Sequence, residues 1–593
     1  MPKRGHVYHS PWEDHPTLDD NKRQSVWSLV WSNPNNVPDD KPAVVDGSTR
    51  ETVTRKQLRE QSQRLAAGLT EDFGVKQGDV VCLFSPNSIH YHAIIFACQC
   101  AGIVFSGANT AYTPTELTHQ LSKSKAKLLL AHPSNFEVAL KATKALGWTA
   151  DEQKQRIALS VRRSEVDGIL KHASAFRPDH PPADGPAGDE KPIKIDAELL
   201  QAFKTIDQMQ SSKLMQAAEI PQDKLATTLA YLMFSSGTTS AAKGVMTSQL
   251  NMTSVLSGLH PFKCTSDDVH LAFLPFSHIY ALTKVVHWPI LEGCTVVIMP
   301  KFNLKHFCEL VQRYKATIVM LVPPVALQLA KDPIVDDYDF GSLRLVVSGA
   351  APMGAELEKT VAERLGCHVA QAYGLTESSP TTHFCSPEAP RTGSIGFLLP
   401  GVRGRLVDPE TMKDITEEGR EGELWMQGDN IMMGYFENEE ATKETLVEDH
   451  WLRTGDIATC IEDYWTITDR MKELLKVLGY QVPPASLEAT CLTHPHVKDV
   501  GVVGVYSEGR ASEFPRAYIV PSDPTAAAKN EAAYKKAIQD HVTSRVPKHF
   551  RLGGGIIFIE EIPKSASGKI LRRVLRERVK KEPYQEEARQ SKL

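Results

Sequence analysis

Short apolar runs alternating with amphipathic stretches set the limits on what this chain can become. Val80-Val81-Cys82-Leu83-Phe84 follows a stretch in which Leu58, Leu65 and Leu69 fall at helical spacing, and Ser88 stands where it can cap the helix-like stretch beyond. The alternation recurs from Lys127 to Ala131, from Thr317 to Val322 and from Leu343 to Ser348, the last followed by Leu357, Val361 and Leu365 on one helical face. Repeated βα alternation predicts an α/β body with largely parallel strands.

With 593 residues the chain allows about four folding units at roughly 150 residues each, or fewer when one is large. Alternation weakens between about Thr149 and Lys224, and the stretch Arg177–Lys191 is too rich in Pro, Gly and charge to pack, so it reads as a surface insertion. From Gly393 the runs shorten and glycines multiply, which predicts a β-rich subdomain over about 393–470. A boundary falls near Asp469-Arg470-Met471-Lys472. The expected organisation is a large domain, 1–471, and a small, mobile α+β domain, 472–593, with a strand at Gly555–Ile559 and a basic helix from Ile570.

Hydrophobic residues at 41% and charged residues at 23% exclude a fibrous or wholly disordered chain. A formal charge of -5, without a basic block in the body of the chain, points away from nucleic acid. The ten cysteines lack CxxC pairs or zinc-ligand spacing and read as buried apolar residues in a reducing compartment, with the Cys98/Cys100 pair a weak metal signal. The longest apolar stretches, Ala93–Ala108 and Ala316–Ala330, are interrupted and fall below the 18 or so residues of a spanning helix, so no membrane span is expected. The amino terminus lacks a secretory apolar run and carries acids a mitochondrial presequence would avoid.

Five segments carry chemistry. An apolar strand from Tyr231 runs into Ser235, Ser236, Gly237, Thr238, Thr239, Ser240, Lys243 and Gly244, whose hydroxyls, free backbone NH groups and lysine suit an anion. A polar turn is the plain alternative, and the GxxxxGK[ST] pattern is absent, which disfavours ordinary P-loop hydrolysis. Gln371-Ala372-Tyr373-Gly374-Leu375-Thr376-Glu377 combines an aromatic for stacking, a hydroxyl for phosphate and a carboxylate for Mg2+. Asp456, in Trp451–Asp456, and Arg470 are an acid and a base for ribose hydroxyls, or a surface ion pair. Pro563–Lys569 presents Lys569 before a helix; taken alone it would be a solvated lysine.

In this order the segments resemble the adenylate-forming superfamily of acyl- and aryl-CoA synthetases, luciferases and peptide-synthetase adenylation domains, closest to the 4-coumarate-CoA ligase-like branch. The resemblance runs from about Val53 to Arg573 and takes in Leu274–Leu282, Val347–Met353 and Lys472–Gln481. It implies ATP, Mg2+ and coenzyme A as cofactor and co-substrates: a carboxylic acid attacks the α-phosphate, and the thiol then displaces AMP. It further implies that Ser235, Thr238, Thr239 and Lys243 hold the β,γ-phosphates, with Ser236 and Gly237 also binding the nucleotide, Thr376 the α-phosphate and Glu377 the metal. Tyr373 and Ala350, with Gln371, Ala372 and Gly374, would surround adenine, and Asp456 with Arg470 the ribose. Lys569 would stabilise the pentavalent transition state. Rotation about Lys472 would replace it with the Lys476, Leu478 and Gly479 segment at the pantetheine channel. His278 and Tyr280 would stand at the mouth of an acyl pocket walled by Ser348, Gly349, Ala372, Gly374 and Ser379, with His278 gating the carboxylate; a core histidine is the bland reading.

Ser240 replaces a usual glycine, Ala241-Ala242 stand where a proline usually precedes the lysine, and Leu478 replaces a frequent second lysine. The Phe276–Ile279 stretch holds no carboxylate for an α-ammonium, which favours an uncharged acyl or aryl tail: a cinnamic or phenylacetic acid, a medium-chain fatty acid or a specialised metabolite. Ser591-Lys592-Leu593 reads as a peroxisomal matrix address for a soluble import receptor. The alternatives are a luciferase-like oxygenase, a stand-alone enzyme loading a separate carrier protein and, disfavoured by Lys569, Glu377 and Lys243, a non-enzymatic binding protein.

Overall fold

The computed structural model describes residues 7–12, 18–166, 197–235, 242–478, 480–507, 512–565 and 568–582. Two sheets built around parallel strands form the body. One has nine strands in the order Phe397–Leu398, Thr381–Phe384, His368–Gly374, Leu345–Ser348, Ile318–Leu321, Val269–Ala272, Thr295–Ile298, Pro42–Asp46 and Thr52–Thr54. The six from His368–Gly374 to Pro42–Asp46 run parallel. The other has seven, with Val104–Gly107, Val80–Phe84, Leu128–Ala131 and Ile157–Leu159 parallel.

The predicted elements form where the side-chain pattern demands burial. Val80–Phe84 is buried along its whole length, and Leu58, Leu65 and Leu69 line the inner side of the helix Arg55–Phe73 at 0% exposure. That helix starts in a capping box between Thr54 and Gln57 and stops at Gly74, whose φ of 59° lies in the left-handed region. Ser88 occupies the cap position before Ile89–Cys100, as expected, but its side chain makes no cap hydrogen bond; its carbonyl accepts from Tyr91 NH instead. Each long apolar stretch divides between a helix and a strand, and no described helix is long and apolar enough to cross a membrane.

The 149–224 segment is more integrated than a surface insertion. Ile157–Leu159 is the edge strand of the seven-stranded sheet, and Leu200, Phe203, Ile206 and Met209 are buried. Phe203 meets Phe136 edge to face at 4.9 Å between centroids. The Pro/Gly-rich stretch 177–191 lies outside the described residues. The glycine-rich region forms the predicted β-structure, a six-stranded antiparallel sheet including Arg403–Val407, Gly422–Gln427, Trp451–Ile461 and Tyr464–Arg470. Tyr8–His9 adds an edge strand to it, with Tyr8 packed edge-on against Trp465, an attachment that no periodicity in two residues could announce.

Beyond Lys472 the chain forms a smaller α+β unit: a hairpin Leu475–Val477/Tyr480–Val482, a sheet of Val497–Ser507, Ser512–Pro521 and Ile556–Phe558, and helices including Pro484–Leu492, Glu531–Thr543 and Arg572–Lys581. Its own apolar cluster contains Leu487, Val500, Val502, Ile519 and Ile538.

Candidate active site

Residues from both large sheets, the antiparallel sheet and the small unit meet in one cleft. Asp456 and Arg470 lie opposite each other across the antiparallel ladder, which sets both side chains on one face. Arg470 Nε lies 3.2 Å from Asp456 Oδ1, and the Tyr373 hydroxyl donates to Asp456 Oδ2 at 2.6 Å. Tyr373 comes from the other sheet, on His368–Gly374, so the buried Asp456 carboxylate joins the two layers. Burial, and then the negative charge of Asp456, push the Tyr373 phenol well above its ordinary value, so it remains a donor throughout the neutral range.

A second junction lies alongside. The Tyr435 hydroxyl donates to Glu377 Oε1 at 2.8 Å, and Lys243 Nζ sits 4.9 Å from the centre of the Tyr435 ring. Lys243 begins the strand Lys243–Ser248 and pairs with Ser235, so the backbone brings the two ends of the Ser/Thr/Gly loop together. Ser236, Gly237, Thr238, Thr239 and Ser240 lie outside the described residues. Sequence reasoning missed Tyr435; its only signal is the Gly434-Tyr435 pair closing an apolar run.

The turn after Tyr373 permits nothing larger than glycine at position 374, where a Cβ would meet Pro380 O at 1.9 Å. Thr376 and Glu377 follow in a one-turn 3-10 helix, Thr376–Ser378. Gln371 is buried and fully engaged: its Oε1 accepts from Met353 NH at 3.0 Å, and its Nε2 donates to Glu358 at 2.8 Å. Its amide therefore fixes the Val347–Met353 loop, in which Ala350 holds a φ of 69°.

His278 precedes the short helix Ile279–Ala281 and caps it, Nδ1 accepting from Tyr280 NH at 3.2 Å. Burial, and then the Lys569 ammonium, push its imidazolium down to about 3, so the ring is neutral. The Tyr280 hydroxyl donates to Val347 O at 3.2 Å, and its ring comes so near Gly349 that a Cβ there would lie 3.1 Å from it. The Ser348 and Ser379 hydroxyls are buried without a hydrogen-bond partner, groups that a ligand could satisfy. Ala372 and Gly374 are half-buried beside them.

Lys569 enters this cleft from the small unit. Gly568 lies against Val322 and Pro324 of the large body, and the Lys569 NH donates to Ser565 Oγ at 3.1 Å. Burial, followed by the nearby Arg470 guanidinium, lowers the Lys569 ammonium to about 8 despite Asp456, Glu377 and Glu473. Three residues later Arg572 pairs with Glu473, and with Glu488 at 2.7 Å, a clamp between the lysine loop and the Glu473 end of the unit. Lys472 is exposed next to Glu473. Lys476 and Leu478 are exposed on the hairpin, their NH groups bound to Glu513 and Ser512 of the small unit. Gly479 and Ser591, Lys592 and Leu593 lie outside the described residues.

Comparison with known proteins agrees with this geometry. Residues 30–436 match the AMP-binding enzyme family and residues 486–569 the AMP-binding enzyme C-terminal domain. The chain is 34% identical over 555 residues to 4-coumarate–CoA ligase 1 of Petroselinum crispum, covering 91% of each. It is 34% identical over 546 residues to a probable 4-coumarate–CoA ligase 1 of Dictyostelium discoideum, covering 91% of this chain and 92% of the other. Among solved structures, ATP-bound MatB from Rhodopseudomonas palustris superposes with a TM-score of 0.75 at 24% identity, covering 94% of this chain and 99% of the other. The anthranilate CoA ligase AuaEII with anthranoyl-AMP gives 0.78 at 22%, covering 94% and 97%. With two family models spanning both units and relatives matched along nine-tenths of their length, the chain belongs to the AMP-binding enzyme family of AMP-forming acid–thiol ligases.

Proposed function

We propose that the chain activates an acyl or aryl carboxylic acid with Mg-ATP and passes it to coenzyme A inside peroxisomes. The observation that carries the reading is the convergence of Tyr373, Asp456 and Arg470 with Lys569, a set of donors and acceptors beside a cation. The acid's carboxylate attacks the α-phosphate and pyrophosphate leaves; the thiolate then adds to the acyl-adenylate carbonyl and AMP departs. The first step removes the negative charge that would repel a thiolate from a free carboxylate.

Asp456 accepts from ribose hydroxyls, with Arg470 and Tyr373 holding it in place, while Lys243 and Ser235 approach the β,γ-phosphates and Thr376 the α-phosphate. Lys569 meets the charge that grows on the α-phosphate oxygens. Glu377 is a hard oxygen donor fixed through one oxygen by Tyr435, which suits Mg2+; the ion when bound neutralises phosphate charge. His278, neutral, packs beside the incoming carboxylate without attracting it strongly. With Lys569 in the cleft and Lys476 outside on the hairpin, the arrangement fits the first half-reaction; rotation about Lys472 serves the second. The terminal Ser591-Lys592-Leu593 supports the peroxisomal address.

The test is a panel of aryl, phenylacetic and medium-chain acids with ATP, Mg2+ and coenzyme A, reading AMP, pyrophosphate and thioester. One or more acids should give all three in equal amounts. Pyrophosphate release with no thioester would favour carrier loading, and oxygen uptake a luciferase-like course.

A further inference from the structure

Away from the reaction cleft, three chain segments bring soft ligand atoms together. Cys264 follows the 3-10 turn His260–Phe262, His270 lies on Val269–Ala272, and Cys294 immediately precedes Thr295–Ile298. Cys264 Sγ lies 3.2 Å from Cys294 Sγ and 3.4 Å from His270 Nε2, and one ligand atom from each residue falls within 4.8 Å of the others. Zinc held at Zn–S ~2.3 Å and Zn–N ~2.0 Å in a tetrahedron needs S···S of about 3.8 Å and S···N of about 3.5 Å. The sulfurs would have to part by about 0.6 Å and the sulfur–nitrogen pair by about 0.1 Å to admit the ion.

We propose that Cys264, His270 and Cys294 bind a thiophilic divalent cation, zinc being the probe of choice, at the end of the nine-stranded sheet opposite the cleft. The two strands are parallel, so their amino-terminal ends gather these ligands while His278 and the other site residues follow carboxyl-terminal ends. Sequence spacing hides the set, since 6 residues separate the first cysteine from the histidine and 30 separate the two sulfurs. His270 and Cys294 are each 1% exposed, whereas Cys264 is only partly buried and lies on the side from which an ion, and a water as fourth ligand, would enter.

The surroundings suit that charge. Asp268 is unsuited as a further ligand because Arg344, Thr265 and Thr317 already hold its carboxylate. Loss of both thiol protons on binding gives two thiolates that balance the 2+ ion. The binding joins a loop to two strands, so it acts on stability.

Full-length protein purified without chelator should contain about one zinc per chain by elemental mass spectrometry. Chelator-treated protein titrated with Co2+ should develop a thiolate-to-metal charge-transfer band. Cys264→Ser should weaken zinc binding on the order of a hundredfold or more, while Cys367→Ser should leave it unchanged. Wild-type protein that binds neither ion at micromolar concentration overturns the proposal, even if Cys264→Ser fails to fold. So does intact-mass evidence that Cys264 and Cys294 are joined as a disulfide in the native protein, or cobalt binding that survives Cys264→Ser.

Discussion

The Tyr373 hydroxyl donates to Asp456 at 2.6 Å, joining a strand of the nine-stranded sheet to a strand of the antiparallel sheet. Removing it leaves Asp456 held by Arg470 alone. Tyr373→Phe should raise KM for ATP about tenfold, the effect of one hydrogen bond to a charged group worth roughly 1.5–3 kcal/mol, with a smaller change in kcat. Asp456→Ala should raise KM further. Steady-state kinetics in ATP at saturating acid check both.

Lys569 contacts only the first step in the arrangement proposed. Lys569→Ala should lower acid-dependent pyrophosphate release by on the order of 10²–10³ or more, while thioester formation from supplied acyl-adenylate and coenzyme A stays within a few fold of wild type. Equal loss of both activities would contradict the assignment. Lys476→Ala should show the opposite split.

The depressed ammonium of Lys569 gives a direction with pH. With the group lowered to about 8, the free enzyme holds it charged below that value and loses the charge as pH rises through it, well before an ordinary lysine would. Phosphates favour the charged form, so ATP binding near pH 8 should take up a proton. Calorimetric enthalpies measured in buffers of different ionisation heat should reveal that uptake, and Lys569→Met should abolish it.

Gly374 can be tested by size alone. A methyl at this position would overlap Pro380 O, and backbone has no rotamer by which to yield. Gly374→Ala should lower stability by about 1–3 kcal/mol, in the range of overpacked interiors, and reduce adenylation in parallel. Thermal unfolding beside activity measures both.

Asp268 gives an acid-side prediction. Burial raises its carboxyl, but hydrogen bonds from Arg344, Thr265 NH and Thr317 win and hold it down to about 2. Its stabilisation is complete above the ordinary aspartate range near pH 4 and is lost as pH falls towards 2. Asp268→Asn should cost roughly 2–3 kcal/mol at pH 7 and flatten the acid limb of a melting-temperature profile.

The parallel body was legible because its strands are apolar without interruption, and the pairing of Asp456 with Arg470 because the two sit in polar motifs that the ladder makes opposite. The joins between distant segments were not legible. Tyr435 reaches Glu377 across 58 residues, and Arg572 reaches Glu488 across 84, with no periodicity linking them. The insertion was misjudged at its margins because Leu200, Phe203 and Ile206, though three residues apart, have only the short helix Ala197–Gln201 among them, yet each finds a site in the core. The two internal partners of the Gln371 amide, Met353 NH and Glu358, likewise left no trace in the spacing of the sequence.

The Arg572 clamp bears on timing. One guanidinium ties the loop that carries Lys569 to Glu473, next to Lys472, and so couples the two ends of the small unit. In the rotation proposed above, such a coupling would carry the lysine away as the hairpin advances, so that activation and thiol capture take turns and the labile anhydride meets one end at a time.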